Sequence, residues 1–106
     1  MINSMVFLKI PGLNNGHPIT VKEIIRIQAI SNYSRIYFSN GKVVVVAKVL
    51  HWFEDSLPET MFARVHSSHL VNKSFVEKIK GVRSKSLLLC NGDSIAVSRR
   101  RKVLIE

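Results

Sequence analysis

An all-β domain built from short antiparallel hairpins is the fold class this sequence predicts, and three observations carry it. Asn-Gly pairs punctuate the chain at Asn15-Gly16, Asn40-Gly41 and Asn91-Gly92. Strand-like runs flank two of them, most plainly the unbroken Val43-Val44-Val45-Val46. Only one stretch, Ala47 to Leu57, clearly sets apolar residues at helical spacing.

Taken in order, Val6 to Ile10 reads as a first strand closed by Pro11-Gly12. Ile25 to Ile30 reads as a second, with Ile25, Ile27 and Ala29 on one face and Arg26 and Gln28 on the other. Ile36 and Phe38 lead into Asn40-Gly41, and β-branched valines follow, which favour extended backbone. Asn-Gly suits a type I′ turn, because that turn needs positive φ at both central residues. Ala47 to Leu57 places Val49, Leu50, Phe53 and Leu57 on one helical stripe, ended by Pro58. Phe62 to Val65 is a short extended segment. Phe75 to Ile79 is a strand with Phe75, Glu77 and Ile79 on one face and Val76 and Lys78 on the other. Leu87 to Cys90 and Ser94 to Val97 form a second hairpin around Asn91-Gly92, and Arg99 to Glu106 reads as a short terminal helix.

The 106 residues form one domain, 1–106, and 46% of them are hydrophobic, enough for a real core. No apolar run reaches the roughly 18 residues of a membrane span, and Met1 to Ile10 lacks the cleavage pattern of a signal peptide. The single cysteine, Cys90, has no partner for a disulfide and follows Leu87-Leu88-Leu89, so it reads as a buried core thiol in a cytoplasmic protein.

Charge narrows the function. Sixteen Lys and Arg stand against seven Asp and Glu, a net charge of +9. So large an excess on a folded domain points to a polyanion, with nucleic acid first and an acidic membrane surface second. The sequence holds no Gly-rich phosphate loop and no G-x-S-x-G elbow. The carboxylates are scattered, and only Glu54 and Asp55 adjoin. His66 and His69 have a spacing that ligates zinc on one helical turn, but no second pair of ligands lies nearby. His17 and His51 read as ordinary surface residues. No catalytic residue, cofactor or metal is therefore expected.

Two segments carry the binding chemistry. Phe62 to Lys73 interleaves Arg64, His66, Ser67, Ser68, Asn72 and Lys73 with a few apolar anchors. Its cations suit phosphates, and its hydroxyls, imidazoles and amide suit phosphates or base edges. The plainer reading is a polar turn in which Asn72 and Ser68 cap local backbone. The second segment, Ser98-Arg99-Arg100-Arg101-Lys102, follows a strand directly, so a rigid element positions its cations. Ser98 is placed to cap a helix there. The plainer reading is a solvated tail.

These segments, with the stretch around Tyr33, resemble LytTR DNA-binding domains over roughly Ile19 to Leu104. Phe62-x-Arg64-Val65-His66-x-Ser68-x-Leu70-Val71-Asn72 looks like the family's central motif. Asn91-Gly92-Asp93-x-Ile95-x-Val97-Ser98-Arg99-Arg100 looks like its C-terminal motif, and Ile24 to Ile30 followed by Tyr33 is similar to its early strand and loop. The resemblance implies small antiparallel sheets stacked in an elongated body with one or two short helices. It also implies three loops that enter successive major grooves of double-stranded DNA. Those loops correspond to Asn32, Tyr33 and Arg35; to His66, Ser67, Ser68 and Asn72, with Arg64 and Lys73 beside them; and to Ser98, Arg99, Arg100 and Lys102. Tyr33, Ser67 and Arg99 fall where the family makes base or near-base contacts, while Arg64, His66, Ser68 and Asn72 fall in the motif that holds the loop as much as it touches phosphate. Ser67 replaces an Arg common in the family, and His69 replaces an aromatic or apolar residue.

What the resemblance implies beyond the chain is a bacterial two-component regulator. The chain then reads either as the output domain of a longer regulator, with a receiver or other regulatory domain, or as a stand-alone form, and two copies would occupy paired half-sites. A second reading is a small basic RNA-binding β module, with Tyr33, Tyr37 and Trp52 as stacking platforms. A third is a metal-dependent hydrolase around His66 and His69.

Overall fold

The computed structural model describes residues 6–100. Their elements are β1 (Phe7–Leu8), β2 (Ile19–Thr20), β3 (Ile24–Ile30), β4 (Tyr33–Phe38), β5 (Val43–Val46), α1 (Leu50–Ser56), β6 (Phe62–His66), β7 (His69–Asn72), β8 (Val76–Lys80), β9 (Ser86–Leu89) and β10 (Ser94–Ala96). They form a five-stranded sheet in the order β5-β4-β3-β7-β6, a three-stranded sheet β10-β9-β8 and a small β1-β2 pair. Every pairing is antiparallel.

The five-stranded sheet is covered on one face throughout and on the other over β3, β7 and β6, while Val43 and Val45 of β5 stay exposed. One face carries Ile24, Ile27, Ile36, Leu70 and Phe62 and packs against Leu50, Phe53 and Leu57 of the helical segment, with Ile10 and Val21 from the N-terminal part. The other carries Ile25, Ala63, Val65 and Val71 and packs against Leu87, Leu89 and Ile95 of the three-stranded sheet. Phe53 is wholly buried, and its truncation to Ala would remove about 3–5 kcal/mol.

A β-bulge between Ile24 and Arg26 reconciles the two cores. The alternation in the sequence puts Ile25 with Ile27, but the bulge inserts a residue and turns Ile25 to the opposite core from Ile27. Arg26 remains buried with it, its guanidinium 3.7 Å over the Tyr37 ring.

Both Asn-Gly hairpins differ from the expected type I′ form. Only the glycines, Gly41 and Gly92, have positive φ. Gly41 N–H donates to Phe38 O and Phe38 N–H to Lys42 O, and Gly92 with Leu89 and Asp93 repeats the pattern. This is a three-residue loop made of a type I turn and a left-handed glycine. The asparagine side chains explain the preference: Asn40 Oδ1 accepts from Lys42 N–H at 2.8 Å and Asn91 Oδ1 from Asp93 N–H at 3.0 Å. Cys90 lies in the second of these loops and is exposed, so it is not the core thiol its apolar neighbours suggest.

The helix is shorter than its apolar spacing predicts. It starts at Leu50 after Val49, which has extended backbone and is exposed. Ser34 Oγ donates to Lys48 O at 2.6 Å, so the residues before the helix continue along the sheet edge. Pro58 ends it as expected, with Leu57 extended. The predicted first strand shrinks to Phe7–Leu8, and Phe75 belongs to a 3-10 turn, Lys73–Phe75. The terminal helix predicted from Arg99 falls largely outside the described residues.

Candidate nucleic-acid interface

Strand direction and hydrogen bonding bring three turns to one end of the molecule. Ile30 pairs with Tyr33, which makes Ser31-Asn32 the two-residue turn from β3 to β4, with Ser31 at φ 55°. Ala29 N–H donates to Ser68 O at 2.9 Å, setting the β6–β7 turn beside the end of β3. Ser98 N–H donates to Val65 O at 2.7 Å, setting the segment after β10 beside the end of β6. The row therefore runs Asn32, Ser68, Ser98 without a gap in the sheet framework. The two Asn-Gly hairpins lie at the other ends of their strands.

Each turn presents polar or cationic groups. Asn32 and Tyr33 are exposed, Tyr33 by 51%. Arg35 is half-buried and shares a cross-strand row with Gln28, His69 and Val45. Its Nη1 lies 3.4 Å from Tyr37 Oη, which donates to Gln28 Oε1 at 3.1 Å. Ser67 is exposed and Ser68 half-buried. Arg99 and Arg100 are exposed, and Ser98 Oγ accepts from Arg100 N–H at 3.2 Å, fixing the start of the basic segment. Lys102 lies outside the described residues.

The central motif divides into groups that face outward and groups that hold the turn. Arg64 belongs to the second kind. Its Nε donates to His66 O at 3.0 Å, Nη2 to Ser67 O at 2.6 Å and Nη1 to Glu54 Oε1 at 2.7 Å. Its side chain is 13% exposed. It clamps the β6–β7 turn to α1. His66 Nδ1 accepts from Ser68 N–H at 3.1 Å, so the ring fixes the turn.

Asn72 and Lys73 correct the expectation. They lie at the far end of β7 from the turn, about 10 Å away at strand spacing. Asn72 is fully buried. Its Nδ2 donates to Ile24 O at 2.9 Å, and its Oδ1 accepts from Ser74 N–H and Ser74 Oγ. Every one of those contacts is internal, so Asn72 fastens β7 to β3 and caps the 3-10 turn. Lys73 Nζ donates to Glu59 O at 3.2 Å on the same remote side.

His69 stands 5.3 Å from His66 between ring centroids. Burial, then the neighbouring His66 and Arg26 charges, lower its pKa from 6.5 to about 4, so it is neutral at neutral pH. Among the described residues no group of three or more His, Cys, Asp or Glu is arranged to hold a metal ion. Trp52 is half-buried against the first core, edge-on to Phe53 at 5.0 Å, which does not make an open stacking platform.

Some cations escaped the sequence reading. Lys48 borders the β3–β4 turn through the Ser34 bond, with Nζ 5.4 Å from the Trp52 ring centre. Arg83 and Lys85 are exposed at the β8–β9 connection. The run Lys78-Ile79-Lys80-Gly81-Val82-Arg83-Ser84-Lys85, four cations and no acid, was the available signal.

A basic β framework with three adjacent polar turns at one end defines a nucleic-acid-binding module. The chain belongs to the LytTr DNA-binding domain family, whose profile matches residues 14–105. A solved structure from Bacillus cereus, described as the LytTr DNA-binding domain of a candidate methyl-accepting/DNA response regulator, shares the fold. It has a TM-score of 0.73 and 24% identity, covering 93% of this chain and 90% of that one. No curated protein matches the chain. The family is one of DNA-binding domains of regulators and is not catalytic. Among the described residues no helix is long and apolar enough to cross a membrane.

Proposed function

We propose that this domain reads duplex DNA sequence-specifically for a bacterial transcriptional regulator, by inserting the three adjacent turns into successive major grooves. Tyr33 with Asn32, Ser67 with Ser68, and Arg99 are the groups aimed at base edges. Arg35, Arg100 and Lys102 supply phosphate contacts. Arg99 in bidentate contact with guanine O6 and N7 is the strongest single source of preference. Ser67, shorter than an arginine, reads its base through water or not at all.

The observation that carries this reading is the continuous hydrogen-bonded row from Ala29 through Ser68 to Val65 and Ser98. It holds the three turns on one rigid edge, so they meet a duplex together. Arg64 and His66 serve the same end by fixing the middle turn. Two copies on paired half-sites and an accompanying receiver domain complete the regulator.

Selection from a random duplex pool at stated salt tests the proposal. A recovered consensus, with a log K against log salt slope near −5 for about six phosphates, is the expected result. Recovery of no consensus, or tighter binding to single-stranded RNA, would overturn it.

A further inference from the structure

Beyond the three turns, the same end of the molecule carries a fourth projection. β8 and β9 are joined by Gly81 to Lys85, and Lys80 pairs with Ser86 at the base of this hairpin. Val97 N–H donates to Lys85 O at 2.9 Å, and the next residue, Ser98, donates to Val65 O. The Lys85 end of this loop therefore stands immediately beside the basic segment that starts at Ser98. It extends the row of turns onto the three-stranded sheet.

Its chemistry matches that position. Lys78, Lys80, Arg83 and Lys85 are all exposed. Among the described residues none of the four has a carboxylate within ion-pair distance. Lys78 and Lys80 pair with Leu88 and Ser86 and so share the outer face of the sheet, away from buried Leu87 and Leu89. The tip also has a fixed shape. Gly81 has φ 93°, and a Cβ there would collide with the Ser84 carbonyl oxygen, so the backbone folds tightly on itself. A shaped hairpin with unpaired cations, continuous with a DNA-facing edge, suits a phosphate backbone.

We infer that the β8–β9 hairpin is a fourth DNA contact, in which Arg83 and Lys85 grip phosphates next to the groove entered by Arg99. This rests on the proposed duplex-binding function and adds affinity without sequence choice. The common alternative for lysines on an edge strand is that they block edge-to-edge association. That role needs Lys78 and Lys80 on the strand and leaves Arg83 and Lys85 in the connecting loop unexplained.

The test compares the chain with Arg83→Gln/Lys85→Gln on a selected duplex and on a random duplex across a salt series. Each lost phosphate contact removes about 0.9 from the slope of log K against log salt, so the double variant should lose about 2. The loss in affinity should be the same factor on both duplexes, and the unfolding midpoint should not move. Gly81→Ala, which distorts the tip without touching a charge, should weaken binding in the same sequence-independent way. A double variant with the wild-type slope overturns the inference while leaving the three-turn reading standing. A wild-type chain with a flat salt response overturns both.

Discussion

Arg26 and Asp93, 67 residues apart in the chain, share a 2.9 Å ion pair that joins the centre of the five-stranded sheet to the second Asn-Gly hairpin. Arg26 stacks over Tyr37 and lies 3.4 Å from Gln28 Oε1, while Asp93 also accepts from Asn91 Nδ2 at 3.0 Å. The pair thus locks the two sheets whose common edge carries the binding turns. Asp93→Ala leaves the Arg26 cation buried without its partner and should lower stability by about 2 kcal/mol. Adding Arg26→Met removes that cation and should recover part of the loss. Denaturant unfolding of the two single variants and the double variant measures this coupling, and strict additivity would disprove it.

Arg64 and Arg99 are both arginines of the predicted site, yet they should respond differently. Arg99→Ala removes an exposed side chain and should leave stability within about 0.5 kcal/mol. Binding to the selected duplex should fall by about 1–3 kcal/mol, with relaxed preference at one base pair. Arg64→Ala unties the β6–β7 turn from α1 and should lower stability by about 1–3 kcal/mol as well as weaken binding. Unfolding curves and duplex titrations on the same preparations separate the two roles.

Asn72 is a stability residue. Asn72→Ala strands the buried Ile24 carbonyl and removes the cap on Ser74 N–H, which should cost about 2–3 kcal/mol. A denaturation midpoint measures it. Under conditions where the variant is folded, duplex affinity should stay within about twofold of the wild type.

His69 makes stability depend on pH. Its folded pKa of about 4 lies below the unfolded value of 6.5, so the unfolded chain takes up the proton first. Its contribution is complete above about pH 6.5 and is lost as pH falls toward 4, where the loss levels off. His69→Phe should remove this component. Unfolding midpoints at about pH 7 and about pH 4.5 should then differ less in the variant than in the wild type.

Much of the fold was legible because local rules and tertiary packing agree. The valines of β5, the glycines of both hairpins and Pro58 each act on their own neighbourhood, so the sequence displays them directly. Most readings that failed depended on distant residues. The bulge that separates Ile25 from Ile27 answers to two cores, neither of which is local. Val49 has helical spacing, but its neighbour Lys48 is held by Ser34 from across the sheet. Cys90 follows three leucines, but the turn chemistry of Asn91-Gly92 places it outside. In the site, the motif residues stand out as a group, and the plainer reading of Asn72 as a local cap is the one its bond to Ser74 N–H bears out. Arg64 and Asn72 look like contacts in sequence because polar residues that build a turn and polar residues that project from it have the same composition. Arg83 and Lys85 do not stand out in sequence because the basic run containing them overlaps an ordinary strand.

The central claim is that one end of this β framework grips the duplex. Backbone amide chemical-shift mapping with a selected duplex tests it most directly. Large changes should gather at Ser31 to Ser34, His66 to His69 and Ser98 to Arg100, with little at Asn40-Gly41 or Asn91-Gly92. Changes centred on those two hairpins, or spread evenly over both ends, would contradict the account.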